Sequence, residues 1–340
     1  MLTPVRAHWG PRASSAETPV RNVEQLPTLI CPRCRRPPRN WPIIQESFQC
    51  SNTECGHVFS TLDGTDIPIV LPGATDSFLA LDAQVDFGDG DQVRNWLATL
   101  EPGSAEWELA LRTGMYAVAH YEHDRPIARR LYERFVADLP VQPQAVIEVG
   151  CGVGGFSYEI ASLSACDVVG LDAGGLGLRM AAAAWSGPEI TVPELRLGTE
   201  LDTRTITVSS SSSSSSTRRG GVAWLCADVN NPPVMAEAFD LVVALNLIDT
   251  MSEPTITLGQ AAAMVRPGGH LLLAQPDAWS AQATPAPNWL PSTDATWDGL
   301  LAEYGLQTVD RDDGFEWELS RTPRYRFQYV SHARLARRVA

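Results

Sequence analysis

Ala145-Val146-Ile147-Glu148-Val149-Gly150-Cys151-Gly152-Val153-Gly154-Gly155 is the stretch that decides the reading of this chain. Five residues of buried-strand character run into a glycine-rich turn, and a helical stretch follows. Glycines between a strand and a helix let a nucleotide cofactor approach the backbone closely. Gly150, Gly152 and Gly155 also satisfy the dinucleotide fingerprint, with Asp172 at a suitable distance for a ribose hydroxyl. The turn alone therefore leaves nicotinamide and S-adenosylmethionine cofactors both open.

Short apolar runs alternate with helical stretches on the carboxyl side. Asp167 to Leu171 ends at Asp172, Val222 to Ala227 ends at Asp228, and Phe239 to Leu245 follows. A fifth strand, Gly269 to Ala274, comes after the turn Arg266-Pro267-Gly268-Gly269. Phe315 to Leu319 and Tyr325 to Val330 read as a closing hairpin. This pattern predicts an α/β fold with a doubly wound, Rossmann-like sheet. Three features favour S-adenosylmethionine over NAD. Glu148 precedes the first glycine and suits a cationic methionine end, Asp228 suits the adenine amino group, and the Pro-Gly-Gly turn precedes the fifth strand. Together they resemble the class I methyltransferases. That resemblance places Glu148, Gly150, Gly152 and Gly154 at the methionine end, Asp172 at the ribose and Asp228 at the adenine.

The 340 residues suffice for one large domain plus a small module, and an apolar fraction of 44% builds a sizeable core. No run of 18 apolar residues occurs, and residues 1–30 carry arginines, prolines and acids in place of a signal-peptide core, so a cytoplasmic protein with no membrane partner is expected. All 26 basic residues are arginine, against 40 acids, for a net charge of −14, a poor balance for holding a phosphate backbone.

Residues 1–26 read as a flexible arm. Residues 27–75 hold Cys31, Cys34, Cys50 and Cys55, spaced C-x2-C, fifteen residues, then C-x4-C. Such knuckles suit four thiolates around a structural zinc ion, with His57 as an alternative to Cys55. Ile67 to Pro72 is expected to seat this zinc ribbon on the larger domain. Residues 76–140 read as two or three helices, and 141–340 as the catalytic domain. Eight serines, Ser209 to Ser216, mark a disordered insertion near 203–220.

The fourth strand leads into Asn246-Leu247-Ile248-Asp249, at the crevice outside the strand ends, so Asn246 and Asp249 are candidates for a methyl acceptor's pocket. Asp249 is equally a candidate cap for the helix running toward Met264. Gln275-Pro276-Asp277-Ala278-Trp279, Asn288-Trp289-Leu290, Phe327 to Ala333, and the segment with Glu194-Leu195-Arg196 and Glu200-Leu201 accompany it. Over residues 115 to 338 the chain resembles the mercaptohistidine N-methyltransferases of ovothiol biosynthesis, and its Asn-Leu-Ile-Asp segment is similar to those of DREV-type protein histidine methyltransferases and carnosine N-methyltransferases. All three groups methylate an imidazole nitrogen. The resemblance implies that Asp249 accepts the ring N–H, fixes the tautomer and stabilises the imidazolium that develops. Tyr116, His120, Tyr121 and His332 are further candidates for the pocket or its cover.

The zinc ribbon departs from that family and is more like the N-terminal module of a bacterial rRNA guanine methyltransferase. Four arginines lie within residues 31–39, and residues 321–340 hold six arginines among Tyr325, Phe327 and Tyr329. An RNA acceptor read by the ribbon therefore stands as the alternative to an imidazole compound, peptide or protein. A noncatalytic partner protein that binds the cofactor only to stay folded is a third.

Overall fold

The computed structural model describes residues 29–36, 47–50, 52–70, 83–122, 126–164, 166–208 and 220–339. The arm 1–26, Arg39, Leu71-Pro72 and Ser209 to Ser216 lie outside these residues. The cysteine module contributes a short antiparallel pair, β1 (Ser47–Gln49) and β2 (Val58–Ser60). Helices α1 (Gly90–Leu97), α2 (Ala105–Tyr121) and α3 (Ile127–Phe135) follow. Asp89 and Ser104 start the first two by accepting backbone N–H groups of the opening turn, as helix N-caps do.

The strand–turn–helix at the glycines is β3 (Ala145–Val149) leading into α4 (Gly155–Leu163). Then come β4 (Asp167–Asp172), α5 (Gly175–Ser186), and a separate hairpin of β5 (Glu189–Leu197) and β6 (Glu200–Thr207). The chain returns through β7 (Val222–Cys226), β8 (Phe239–Leu245), α6 (Pro254–Met264), β9 (Val265–Gln275), α7 (Asp294–Glu303), β10 (Leu306–Thr322) and β11 (Tyr325–Arg338). Seven strands form one sheet in the order β10-β11-β9-β8-β3-β4-β7. The five from β9 to β7 are parallel, and the β10–β11 hairpin closes the sheet antiparallel.

Period-two alternation divides the core between two faces. Val146, Val168 and Leu241 pack with α2, α3 and α4 on one side. Ile147, Val169 and Val242 pack with α6, α7 and the cysteine module on the other. Both faces are covered, which explains why the central strands read as continuous apolar runs.

The structure differs from the expected elements in three places. Strand β9 begins at Val265 because the Pro-Gly-Gly turn is an irregularity within it: pairing with β8 jumps from Phe239–Val265 to Leu241–His270. The closing hairpin is far longer than expected, and its residues from Phe315 to Ser331 pair with each other beyond the end of β9. The insertion expected near 203–220 is strand as far as Thr207, because Ile206 and Val208 reach a core shared with Ile190 and Val192.

The stretch expected to seat the cysteine module does so by joining the free edge of β7. Val70 N donates to Cys226 O at 2.7 Å and Cys226 N to Pro68 O at 3.0 Å. Among the described residues no helix is long and apolar enough to cross a membrane.

Candidate active site and cysteine cluster

A cavity of about 620 Å³ opens at the carboxyl ends of the parallel strands. Its floor is the glycine turn, in which Gly150, Gly152 and Gly154 all have left-handed backbone, with φ of 69°, 51° and 75°. A side chain at Gly150 would also strike Leu247 at 2.7 Å, and one at Gly154 would strike Trp224 at 2.5 Å. Glycine is needed here for conformation and for room.

Glu148, at the end of β3, lines this cavity and is buried. Its Oε2 accepts from Ser157 N at 2.8 Å and from Ser157 Oγ at 2.6 Å, which ties it to the first turn of α4. Burial pushes its carboxyl up to about 7 despite those two bonds. Asp172, ending β4, accepts Gly152 N at 2.8 Å on one oxygen and Gly174 N at 2.7 Å on the other. Burial raises this acid as well, with the two amides opposing it. Asp228, two residues past β7, accepts Asn230 N at 2.8 Å and so shapes the turn that forms the far wall. Gly150, Gly152, Glu148, Asp172 and Asp228, each singled out from sequence, thus line one cavity, whereas Gly154, assigned to the same end from sequence, does not line it.

Asn246 follows β8 in left-handed backbone, φ 49°, and lines the same cavity with its Oδ1 buried and without a partner. His120 Nδ1 and Trp317 Nε1 are likewise buried, unpartnered and at its wall. Native proteins satisfy nearly all buried polar atoms, so these three are groups available to a ligand in the cavity. The His120 ring packs edge-on against Trp317 at 5.6 Å, and burial drops its basicity to about 4, so it is neutral near pH 7. Tyr116 lines the cavity as expected. Tyr121 instead donates to Val153 O at 2.5 Å and braces the glycine turn from behind.

Asp249 does not line the cavity. It sits in a 3-10 turn, Ile248–Thr250, immediately before the lining residue Thr250. Its Oδ2 accepts Ala278 N at 2.8 Å, and it is not the cap of α6, whose N-cap position is Glu253. Burial raises its pKa. Behind it lies a pair that no spacing in the sequence reveals: His332 Nε2 and Asp277 Oδ2 are 2.9 Å apart, and Gln275 Nε2 donates to Asp277 Oδ1 at 2.9 Å. Burial lifts Asp277, but the bonds it accepts from His332, Ser292 and Gln275 outweigh that and leave it below the ordinary carboxylate range. Trp317, Asn230 and Arg112 are among the lining residues with no sequence signal.

The second candidate site is the cysteine cluster. The Sγ atoms of Cys31, Cys34, Cys50 and Cys55 all lie within 4.8 Å of one another, with Cys31–Cys55 at 3.9 Å and Cys34–Cys50 at 3.7 Å. Tetrahedral zinc with bonds of about 2.3 Å places sulfurs about 3.8 Å apart, so the set fits. His57 is not needed as a ligand, and its Nδ1 lies 2.8 Å from the Arg33 guanidinium. Burial holds the Cys50 thiol up to about 12 and raises Cys31, while the Arg36 N–H and further bonds bring Cys34 down to about 6. A four-thiolate set leaves no open coordination position, so it suits a structural ion.

A family model described as "Methyltransferase domain" matches residues 120–322. No curated protein matches the chain. Among solved structures, a Bacillus halodurans protein described as a methyltransferase has 15% identity and a TM-score of 0.41, over 63% of this chain and 99% of that one. A chain from the Haloferax volcanii complex of the Trm112 methyltransferase activator with a methyltransferase has 13% identity and a TM-score of 0.45, over 71% and 100%. A Methanosarcina mazei S-adenosylmethionine-dependent methyltransferase has 16% identity and a TM-score of 0.39, over 57% and 92%. Since the family model spans more than half of the sequence, from α2 through the glycine turn to β10, the chain belongs to the methyltransferase-domain family.

Proposed function

We propose that this protein transfers a methyl group from S-adenosylmethionine to an imidazole nitrogen of a histidine-derived small molecule, peptide or protein. The cofactor that the methyltransferase fold supports suits the cavity: Glu148 and the glycine turn for the methionine end, Asp172 for the ribose, Asp228 for the adenine. Bound there, it supplies an electrophilic methyl on a sulfonium. The observation that carries the acceptor reading is Asn246 Oδ1, an unpartnered buried acceptor held at the cavity wall by a left-handed backbone. Neutral imidazole has one N–H and one lone pair. Asn246 Oδ1 takes the N–H, which fixes the tautomer and leaves the lone pair free to attack. Asp249, one turn behind, stabilises the positive charge that grows on the ring, help that is preorganised because Ala278 N already holds the carboxylate.

The test is S-adenosylhomocysteine release by the full chain offered histidine, thiol-histidine, carnosine, a histidine-containing peptide and RNA. Turnover on an imidazole compound is expected, falling about 100-fold in Asn246→Ala and at least about tenfold in Asp249→Asn. Turnover on RNA alone, or none despite cofactor binding, overturns the imidazole reading. Against RNA stands the engagement of two of the ribbon's exposed arginines by partners within the chain: Arg33 reaches His57, and Arg35 Nη1 donates to Asn231 Oδ1 and Pro232 O.

A further inference from the structure

The wall of the cavity nearest β7 is built by an irregular segment, and the cysteine module holds it. Ala227, Asp228, Val229 and Asn230 line the cavity, and the chain runs on without helix or strand to β8. Backbone polar groups in such a segment need partners from elsewhere. Ile30 N donates to Pro233 O at 2.8 Å, and Leu29 bridges Val234. Arg35 Nη1 donates to Pro232 O at 2.8 Å and to Asn231 Oδ1 at 3.1 Å. Just upstream, the Pro68–Val70 stretch pairs with Cys226. Apolar packing runs along the same lines, since Leu29, Cys31, Cys50 and Val70 share one core with Ala227, Val229 and Val234.

Arg35 is placed by the knuckle itself. Its N donates to Cys31 O at 2.7 Å, one residue after Cys34, and its backbone is left-handed, φ 57°, a conformation disfavoured for a residue with a side chain. Ligation of Cys31 and Cys34 to one ion would hold that turn closed.

We propose that the metal-bound cysteine module positions the Asp228–Asn231 wall through Arg35, so that metal binding and cofactor binding are thermodynamically coupled. Arg35 is then a positioning residue that touches no cofactor. This rests on the reading that the cavity holds S-adenosylmethionine. Coupling is reciprocal: whatever factor the metal contributes to cofactor affinity, the cofactor contributes to metal affinity.

The experiment is calorimetric titration of S-adenosylhomocysteine into the full chain loaded with zinc, stripped with a chelator, and stripped then reloaded, with metal content measured in each. About tenfold weaker binding is expected on stripping, restored by zinc. Arg35→Ala should keep one equivalent of zinc yet bind about three- to tenfold more weakly, Arg35→Lys should recover part of the loss, and Arg35→Ala with Asn231→Ala should be no worse than Arg35→Ala alone. Unchanged affinity in the stripped chain, or wild-type affinity in Arg35→Ala, overturns the proposal. Should stripping unfold the protein, the zinc-loaded Arg35 variants still decide it. No binding by the zinc-loaded wild type overturns the cofactor reading and the proposal with it.

Discussion

Glu148 keeps its proton up to about pH 7 because its site is nearly dry and the Ser157 bonds only partly offset the burial. Its pKa in the fold lies above the ordinary value, so its contribution to the stability of the cofactor-free protein is present at acid pH and is lost as pH rises through 7. Cofactor binding has the opposite sign. An ammonium group favours the ionised carboxylate, so S-adenosylhomocysteine affinity should rise about tenfold between pH 6 and pH 8, and Glu148→Gln should flatten that profile. Titration calorimetry at three pH values checks this, and a flat wild-type profile would remove Glu148 from the methionine end. The residues that line the cavity from the glycine turn are legible in sequence, because turn chemistry and strand ends are local. Asp249's bond to Ala278 and the Asp277–His332 pair are not, since their partners lie 29 and 55 residues apart and meet only when β9 pairs with β8 and with β11.

Helix α2 works as an element because one glycine lets it lie flat on the β5–β6 hairpin. A Cβ at Gly114 would stand 1.9 Å from Pro193 O, a backbone atom with little freedom to give. The same helix carries Tyr116 and His120 to the cavity. Gly114→Ala should therefore destabilise the protein by about 1–3 kcal/mol, as overpacking does, and weaken cofactor binding at the same time. Thermal melts with and without S-adenosylhomocysteine separate the two effects, and a melt unchanged from wild type would show the contact to be dispensable. The parallel strands are readable from short apolar runs ending at Glu, Asp or Asn. The β5–β6 hairpin is not, because its strands mix charged and apolar residues and lead into a serine run with no pattern of its own.

For the molecule as a whole, the two edges of the sheet are protected by different means. Strand β10 carries Asp310, Asp312, Asp313, Glu316 and Glu318 and is broken by register shifts against β11, features that discourage pairing with another chain. Strand β7 has neither, and its sequence, Val222-Ala223-Trp224-Leu225-Cys226, is wholly apolar. Its edge is paired at Cys226, the end nearest the cavity, by the Pro68–Val70 stretch. A chain lacking residues 1–70 should therefore aggregate, eluting in the void volume of a sizing column where the full chain does not. Clean elution of the truncated chain would show that the edge needs no cover.

That cover has a further consequence, one of molecularity. The module and the domain it completes are parts of one chain, so docking is an intramolecular event, with an effective concentration on the order of millimolar. Dilution cannot dissociate such a contact, and weak intrinsic affinity is enough to keep it made. Supplying residues 1–70 as a separate chain would turn the same contact into a bimolecular equilibrium, dependent for the first time on how much protein is in the tube.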